Sequence, residues 1–388
     1  NMFRELDDAL IDVRKVVDAS DADWANFTDT IYESASAVGK TASEYATSVE
    51  KWASAGKTLA EAQELAQLST MGAFVGNIDE ASMVDYMSVP LNAFQKDMIS
   101  AQDILNTMNE IANNNAIEMD DLGAAYQRAA ATASQSGTSF AELTGLITAA
   151  QEATRLGGRT IGTALRAMDI NFGKMFTGAT KQDQDRTEFF ESIGVNIQDA
   201  NGGLRSTYDI LEDLQGAWKD LDDRQRQMAT YYASGKQYSN ILSSILTDEN
   251  WAVVQTARTE AEGQYGLGEA GSAYEEFSRM QEGLSYKLAT LQNSWQSLLN
   301  TLLGGGSNFF GNILDGLNDF IGVLQDLAEN EEAVEGIGRM IQSVIGLIAF
   351  DFGVSGFHKA ATSISNGIDL LKSGAKNVGG IKKGFSGL

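Results

Sequence analysis

A single proline, Pro90, stands in 388 residues. Proline removes a backbone donor and clashes with the preceding turn, so a chain nearly free of it has little to stop its helices. Average usage of about 5% would give roughly 19 prolines. The apolar residues repeat at the matching period. Phe3, Leu6, Leu10, Val13 and Val17 are spaced 3, 4, 3 and 4, which predicts a heptad helix over residues 1–20, read as the end of an upstream coiled coil. Pro90 itself predicts a break at Val89.

Short amphipathic helices with a shared punctuation follow. Gly39-Lys40-Thr41-Ala42-Ser43-Glu44, Gly56-Lys57-Thr58-Leu59-Ala60-Glu61 and Gly137-Thr138-Ser139-Phe140-Ala141-Glu142 have one pattern. Glycine ends a helix in the left-handed conformation. Thr or Ser two residues on caps the next helix, and Glu three beyond closes a capping box. Gly39, Thr41, Glu44, Gly56, Thr58, Glu61, Gly137, Ser139 and Glu142 are therefore helix-junction residues. Further helices are predicted at 101–113, 120–135, 140–154, 160–169, 206–220, 223–233, 238–246 and 250–261. Val195-Asn196-Ile197, Asn201-Gly202-Gly203 and Leu204-Arg205 leave room for one small β-hairpin.

After residue 265 the character changes. Tyr274, Phe277, Gln281, Leu284, Leu288, Leu291, Trp295, Leu298 and Leu302 alternate in steps of 3 and 4. Four heptads with one polar position suit a coiled coil. Phe277 to Leu302 form the candidate self-association seam, with a long helix on the protein's own core as the alternative. Residues 304–388 are Gly-rich and apolar with a basic end. Within them Ile341, Ile345, Ile348 and Phe352 are candidate membrane or partner contacts. The fold class expected is all-α: a multi-helix bundle of helix–turn–helix units over 21–265, flanked by coiled-coil-like helices over 1–20 and 266–303. The oily stripes are expected to be completed by sister copies and a surrounding sheath.

Composition excludes several classes of chemistry. Cysteine is absent, so disulfides, thiol catalysis and thiolate metal sites are excluded. One histidine, His358, excludes any site with two imidazoles. The net charge of −25 argues against gripping nucleic acid, which needs Lys and Arg to displace counterions. No signal peptide is visible, and no window reaches the roughly 20 apolar residues of a membrane span. The termini lack natural landmarks, so the chain reads as a portion of something longer. Gly39-Lys40-Thr41 and Gly56-Lys57-Thr58 lack the first glycine of a phosphate-binding loop. Gly266-Leu267-Gly268-Glu269-Ala270-Gly271 matches a dinucleotide fingerprint without the strand that must precede it, and reads as a flexible joint. No catalytic, cofactor or metal site is expected; the adjacent acids read as solvated helix ends.

Taken in order, these pieces resemble the core of phage tail tape measure proteins of the TP901 type, from about residue 35 to about 243. The carriers are the three Gly-x-Thr/Ser-x-x-Glu junctions, then Gly158-Arg159-Thr160-Ile161-Gly162-Thr163-Ala164-Leu165-Arg166. Ile193-Gly194-Val195-Asn196-Ile197, Asn201-Gly202-Gly203-Leu204-Arg205 and the Leu211, Leu214, Trp218, Leu221 helix follow. The resemblance implies a structural role without enzyme activity or cofactor. It implies a virion protein in the lumen of the tail tube at the tip, acting in length determination, assembly and genome ejection. Partners implied are sister copies in a homotrimer and the distal tail, hub and tube proteins, with no sequence-specific nucleic acid binding and a host membrane met during ejection. A chain of 388 residues is short for that family. The second reading is a membrane-active helical protein, a pore-former or secreted effector, resting on the apolar stretch 336–356.

Overall fold

A computed structural model describes residues 2–283 and scattered positions between 286 and 297. The seam positions Leu284, Leu288, Leu291, Trp295, Leu298 and Leu302 lie outside the described residues. So do Ile341, Ile345, Ile348 and Phe352, His358 and the whole of 304–388. The described part is all-α, with fifteen α-helices and no strand. They are α1 (Met2–Val16), α2 (Asp21–Ala37), α3 (Ala42–Ser54), α4 (Leu59–Gly76), α5 (Glu80–Ala93), α6 (Ala101–Asn114), α7 (Met119–Gln135) and α8 (Phe140–Thr154). After them come α9 (Gly158–Thr177), α10 (Lys181–Ser192), α11 (Thr207–Ala217), α12 (Asp223–Ser234), α13 (Ser239–Ile245), α14 (Asp248–Gly263) and α15 (Ser272–Met280).

The chain divides into two units. The first holds residues 1–15, 19–46 and those from 279 onward; the second holds 16–18 and 47–278. In the first unit Val13, Phe27 and Ile31 are buried. The Arg14 guanidinium lies 5.0 Å from the centre of the Trp24 ring. Asn293 is fully buried against the Gly39 corner: its Nδ2 donates to the Lys40 carbonyl at 2.6 Å and its Oδ1 accepts from the Ala42 amide at 3.1 Å.

The second unit has its own core. Phe140 meets Phe94 at 5.7 Å and Tyr126 at 5.0 Å between ring centres. The buried Tyr126 hydroxyl shares a 2.8 Å hydrogen bond with Thr144. Helix α8 presses on α14 where Gly145 has no side chain; a Cβ there would stand 2.4 Å from the Val254 carbonyl oxygen. The larger apolar residues left exposed, such as Met98, Leu156 and Leu267, are single ones. In this unit the helices cover one another's apolar faces, where sister copies were expected to complete them; the stripes beyond residue 297 lie outside the described residues.

At the junctions the backbone turns at Gly39, Gly56 and Gly137 with φ of 69°, 87° and 84°. The Thr58 amide donates to Glu61 at 2.9 Å and the Glu61 amide to the Thr58 hydroxyl at 3.3 Å. Thr41 with Glu44 and Ser139 with Glu142 repeat the exchange. Three further boxes lack the glycine and are less visible in sequence: Ser20 with Asp23, Ser100 with Asp103 and Asp222 with Gln225.

Four expectations are corrected. Helix α5 runs through Pro90 to Ala93 rather than breaking at Val89. Met83, Val84, Met87 and Pro90 are all buried, and that burial offsets one lost backbone bond. The hairpin shrinks to one antiparallel bridge, Gln198 with Leu204, because the Asp199 carboxylate ties up the Asn201 and Gly203 amides at 2.8 Å each. The heptad helix is interrupted: α15 stops at Met280 and a turn follows, closed by the Gly283 amide donating to the Met280 carbonyl at 2.9 Å. Seam residue Phe277 is buried edge-on against Phe74, centres 5.9 Å apart, and is not free for another copy. Gln281, beyond the helix end, reaches the Tyr286 hydroxyl at 3.4 Å.

The joint around Gly266 is also not flexible. One face of α6 pins it. Asp103 accepts from the Gly266 amide at 2.7 Å, Asn106 donates to the Gly268 carbonyl at 2.9 Å, and Asn109 donates to Ser272 at 2.9 Å.

Candidate functional site

The segment Gly158 to Arg166 opens α9, the longest helix of the second unit. Its N-terminus has no side-chain cap of its own, because the N-cap is Gly157, at φ 80°. The cap comes from another helix. Asp121 Oδ1 accepts from the Gly158 amide at 2.8 Å, and Asp121 Oδ2 accepts from Gln151 at 2.7 Å. Gln151 in turn accepts from the Gly157 amide at 3.0 Å. A carboxylate here also meets the positive end of the helix dipole.

The two glycines of the segment let α9 lie directly on α7. A Cβ at Gly158 would stand 1.7 Å from the Asp121 carbonyl oxygen, and one at Gly162 would stand 2.4 Å from that of Ala125. On the same side of the core Tyr86 lies over Gly123, where a Cβ would come within 2.2 Å of the ring. Its hydroxyl donates to Asp120 at 2.9 Å. Burial, reinforced by that hydrogen bond, pushes the Tyr86 hydroxyl up to about 12. Asp120 and Asp121 read in sequence as an ordinary acidic pair. The fold gives each a separate partner.

Replacing Asp121 with alanine removes the cap and leaves Gln151 without its acceptor. We expect a loss of about 1–2 kcal/mol, read as a lower urea midpoint. Asn at the same position, which keeps one acceptor oxygen, loses less.

Further along, α9 carries a buried carboxylate of its own. Asp169 accepts from Ser136 at 3.2 Å through Oδ1, while Oδ2 makes no hydrogen bond of good geometry among the described residues. The buried Thr207 hydroxyl likewise makes no hydrogen bond of good geometry among the described residues. Burial pushes the Asp169 carboxyl above the ordinary range, and the hydroxyls of Thr207, Thr132 and Ser136 offset part of the effect. Asp169 is enclosed by these hydroxyls, not set in an open cleft.

A surface depression of about 390 Å³ is lined by Gln227, Met228, Tyr231, Tyr232, Lys236 and Ser239. It brings no carboxylate or imidazole pair together. Among the described residues no group of three His, Cys, Asp or Glu could hold a metal ion, and no helix is long and apolar enough to cross a membrane. The Gly266 to Gly271 stretch is the pinned joint described above, with a 3₁₀ turn at Gly268–Ala270.

The α7–α9 contact, where the Gly158 to Arg166 segment sits, is one of the two most extensive helix pairings of the second unit, the other being α8 with α14. Sequence reasoning singled out the segment and missed Asp121, whose link to Gly158 spans 37 positions and leaves no local mark. A family model described as phage-related minor tail protein matches residues 29–233, more than half of the chain. No solved structure matches it.

Proposed function

The chain belongs to the phage-related minor tail protein family, and from that we propose that it is a tape measure protein of the TP901 type. It is a phage tail protein, and so a component of the virion. In our reading it sits inside the tail tube at the tip as a homotrimer. There it takes part in setting tail length, contacts the distal tail, hub and tube proteins, and leaves ahead of the genome at ejection. No catalysis is part of this role.

One observation carries the reading. The family match over 29–233 falls on the same stretch, about 35–243, whose junctions and Gly158 to Arg166 segment resemble the tape measure core. The net charge of −25 fits a protein that DNA must pass without sticking. The membrane-active alternative rests on residues 336–356, outside the described residues, and gains no support from the described helices.

The test is a change of length. In the phage that encodes the chain, a 70-residue heptad segment inserted between Gly304 and Gly305 should lengthen the tail by about 100 Å, at about 1.5 Å per helical residue. Electron micrographs of purified particles read the result. Infectious particles with tails of unchanged length would reject the length-setting role.

A further inference from the structure

Helix α9 leaves one long face to solvent. Arg159, Thr163, Arg166, Ile170 and Lys174 are spaced 4, 3, 4 and 4 and so share a side of the helix. Arg159, Arg166 and Lys174 are exposed, and Ile170 is 41% exposed between the last two. None of the three cations takes part in an ion pair among the described residues. The helix has one acid, Asp169, and it is buried. In a chain of net charge −25 such a face is the exception.

The complement stands on α2. Ala22, Asn26, Asp29, Glu33 and Ala37 repeat the spacing 4, 3, 4 and 4, and all five are exposed. The helix carries no Lys or Arg. Asp29 and Glu33 take part in no ion pair among the described residues. The small flanking side chains leave room for long arginines and for Ile170.

We propose that the α9 stripe of one copy docks on the α2 stripe of a second copy. The contact joins two different patches, so it is heterologous, and repetition closes a ring when the rotation allows. This deepens the self-association in the proposed function and rests on that reading for its biological setting. A duplex of DNA is the weaker candidate for the same cations, because the acidic remainder of the surface repels phosphate and Ile170 has no counterpart there.

Charge exchange tests it, using sedimentation equilibrium on the full chain. Wild type should associate at 50 mM salt and dissociate at 500 mM, as screening shortens the reach of exposed charges. Arg166→Glu should weaken association at least about tenfold by setting like charges together, Asp29→Arg, opposite it at the centre of the matched stripes, should do the same, and the double variant should come back to within about threefold of wild type. Both positions of the test are exposed, so circular dichroism should show the wild-type helix content.

Association equally strong in every variant overturns this surface and leaves the proposed function standing. So does a salt-sensitive change that does not depend on concentration, which is contact within one chain. Duplex DNA shifted by wild type and not by Arg166→Glu also overturns it. A tail that keeps its length in the insertion experiment overturns the function and leaves the surface.

Discussion

Gly158→Ala should lower the stability of the unit formed by residues 47–278 by about 3 kcal/mol or more. A methyl at this position points at a backbone oxygen 1.7 Å away. Backbone cannot rotate aside as a side chain can, so α9 must lift from α7. Overpacking alone costs about 1–3 kcal/mol. The shift also weakens the bond from the Gly158 amide to Asp121, adding about 1 kcal/mol. Native domains are stable by only about 5–15 kcal/mol, so the loss is a large fraction of the whole. Gly173→Ala is the control on the same helix. Nothing lies within 4 Å of a Cβ there, and alanine should stabilise the helix by about 0.5–1 kcal/mol. Urea midpoints measure both. Opposite signs support the close approach as the reason for the glycine; equal effects refute it.

The second large effect concerns Asp169. Its carboxyl is held above the ordinary range by burial, so the folded state keeps the proton that the unfolded chain gives up. Its favourable contribution is complete below the unfolded carboxylate value, about 3.9. It is lost as pH rises from there through the raised folded value and stays lost above it. Asp169→Asn removes the titration and supplies an N–H donor toward the buried Thr207 hydroxyl. At pH 8 we expect the variant to be more stable than wild type by about 1–3 kcal/mol, the scale of an unsatisfied buried polar group. At pH 4 the gap should close. A gap independent of pH, or wild type more stable at pH 8, contradicts this account of the site.

Much of the fold was legible because it is written locally. A helix stop, a cap and a closing acid lie within six residues, so the corners at Gly39, Gly56 and Gly137 could be read directly. The spans 120–135 and 140–154 match α7 and α8 to within one residue. The span 160–169 stops short of α9, which runs on to Thr177: Asn171 and Gly173 are weak helix formers, and the burial of Phe172 and Met175 outweighs them. Burial outweighs Pro90 in the same way. The contacts that join distant parts had no local signature. Asp121 meets Gly158, Asp103 meets Gly266 and Asn293 meets Lys40 across 37, 163 and 253 positions. Heptad spacing places Phe277 on a candidate self-association seam, but spacing cannot say whose core a residue enters. Here it is the chain's own.

The central claim is a place: several copies within the tail tube, at its tip. Cryo-electron microscopy of intact tails tests it most directly. The account predicts density for the helices of residues 47–278 inside the tube at the tip, in three copies, before infection, and loss of that density after the genome has left. Copies on the outer face of the tail, or particles complete and infectious without the chain, would contradict it.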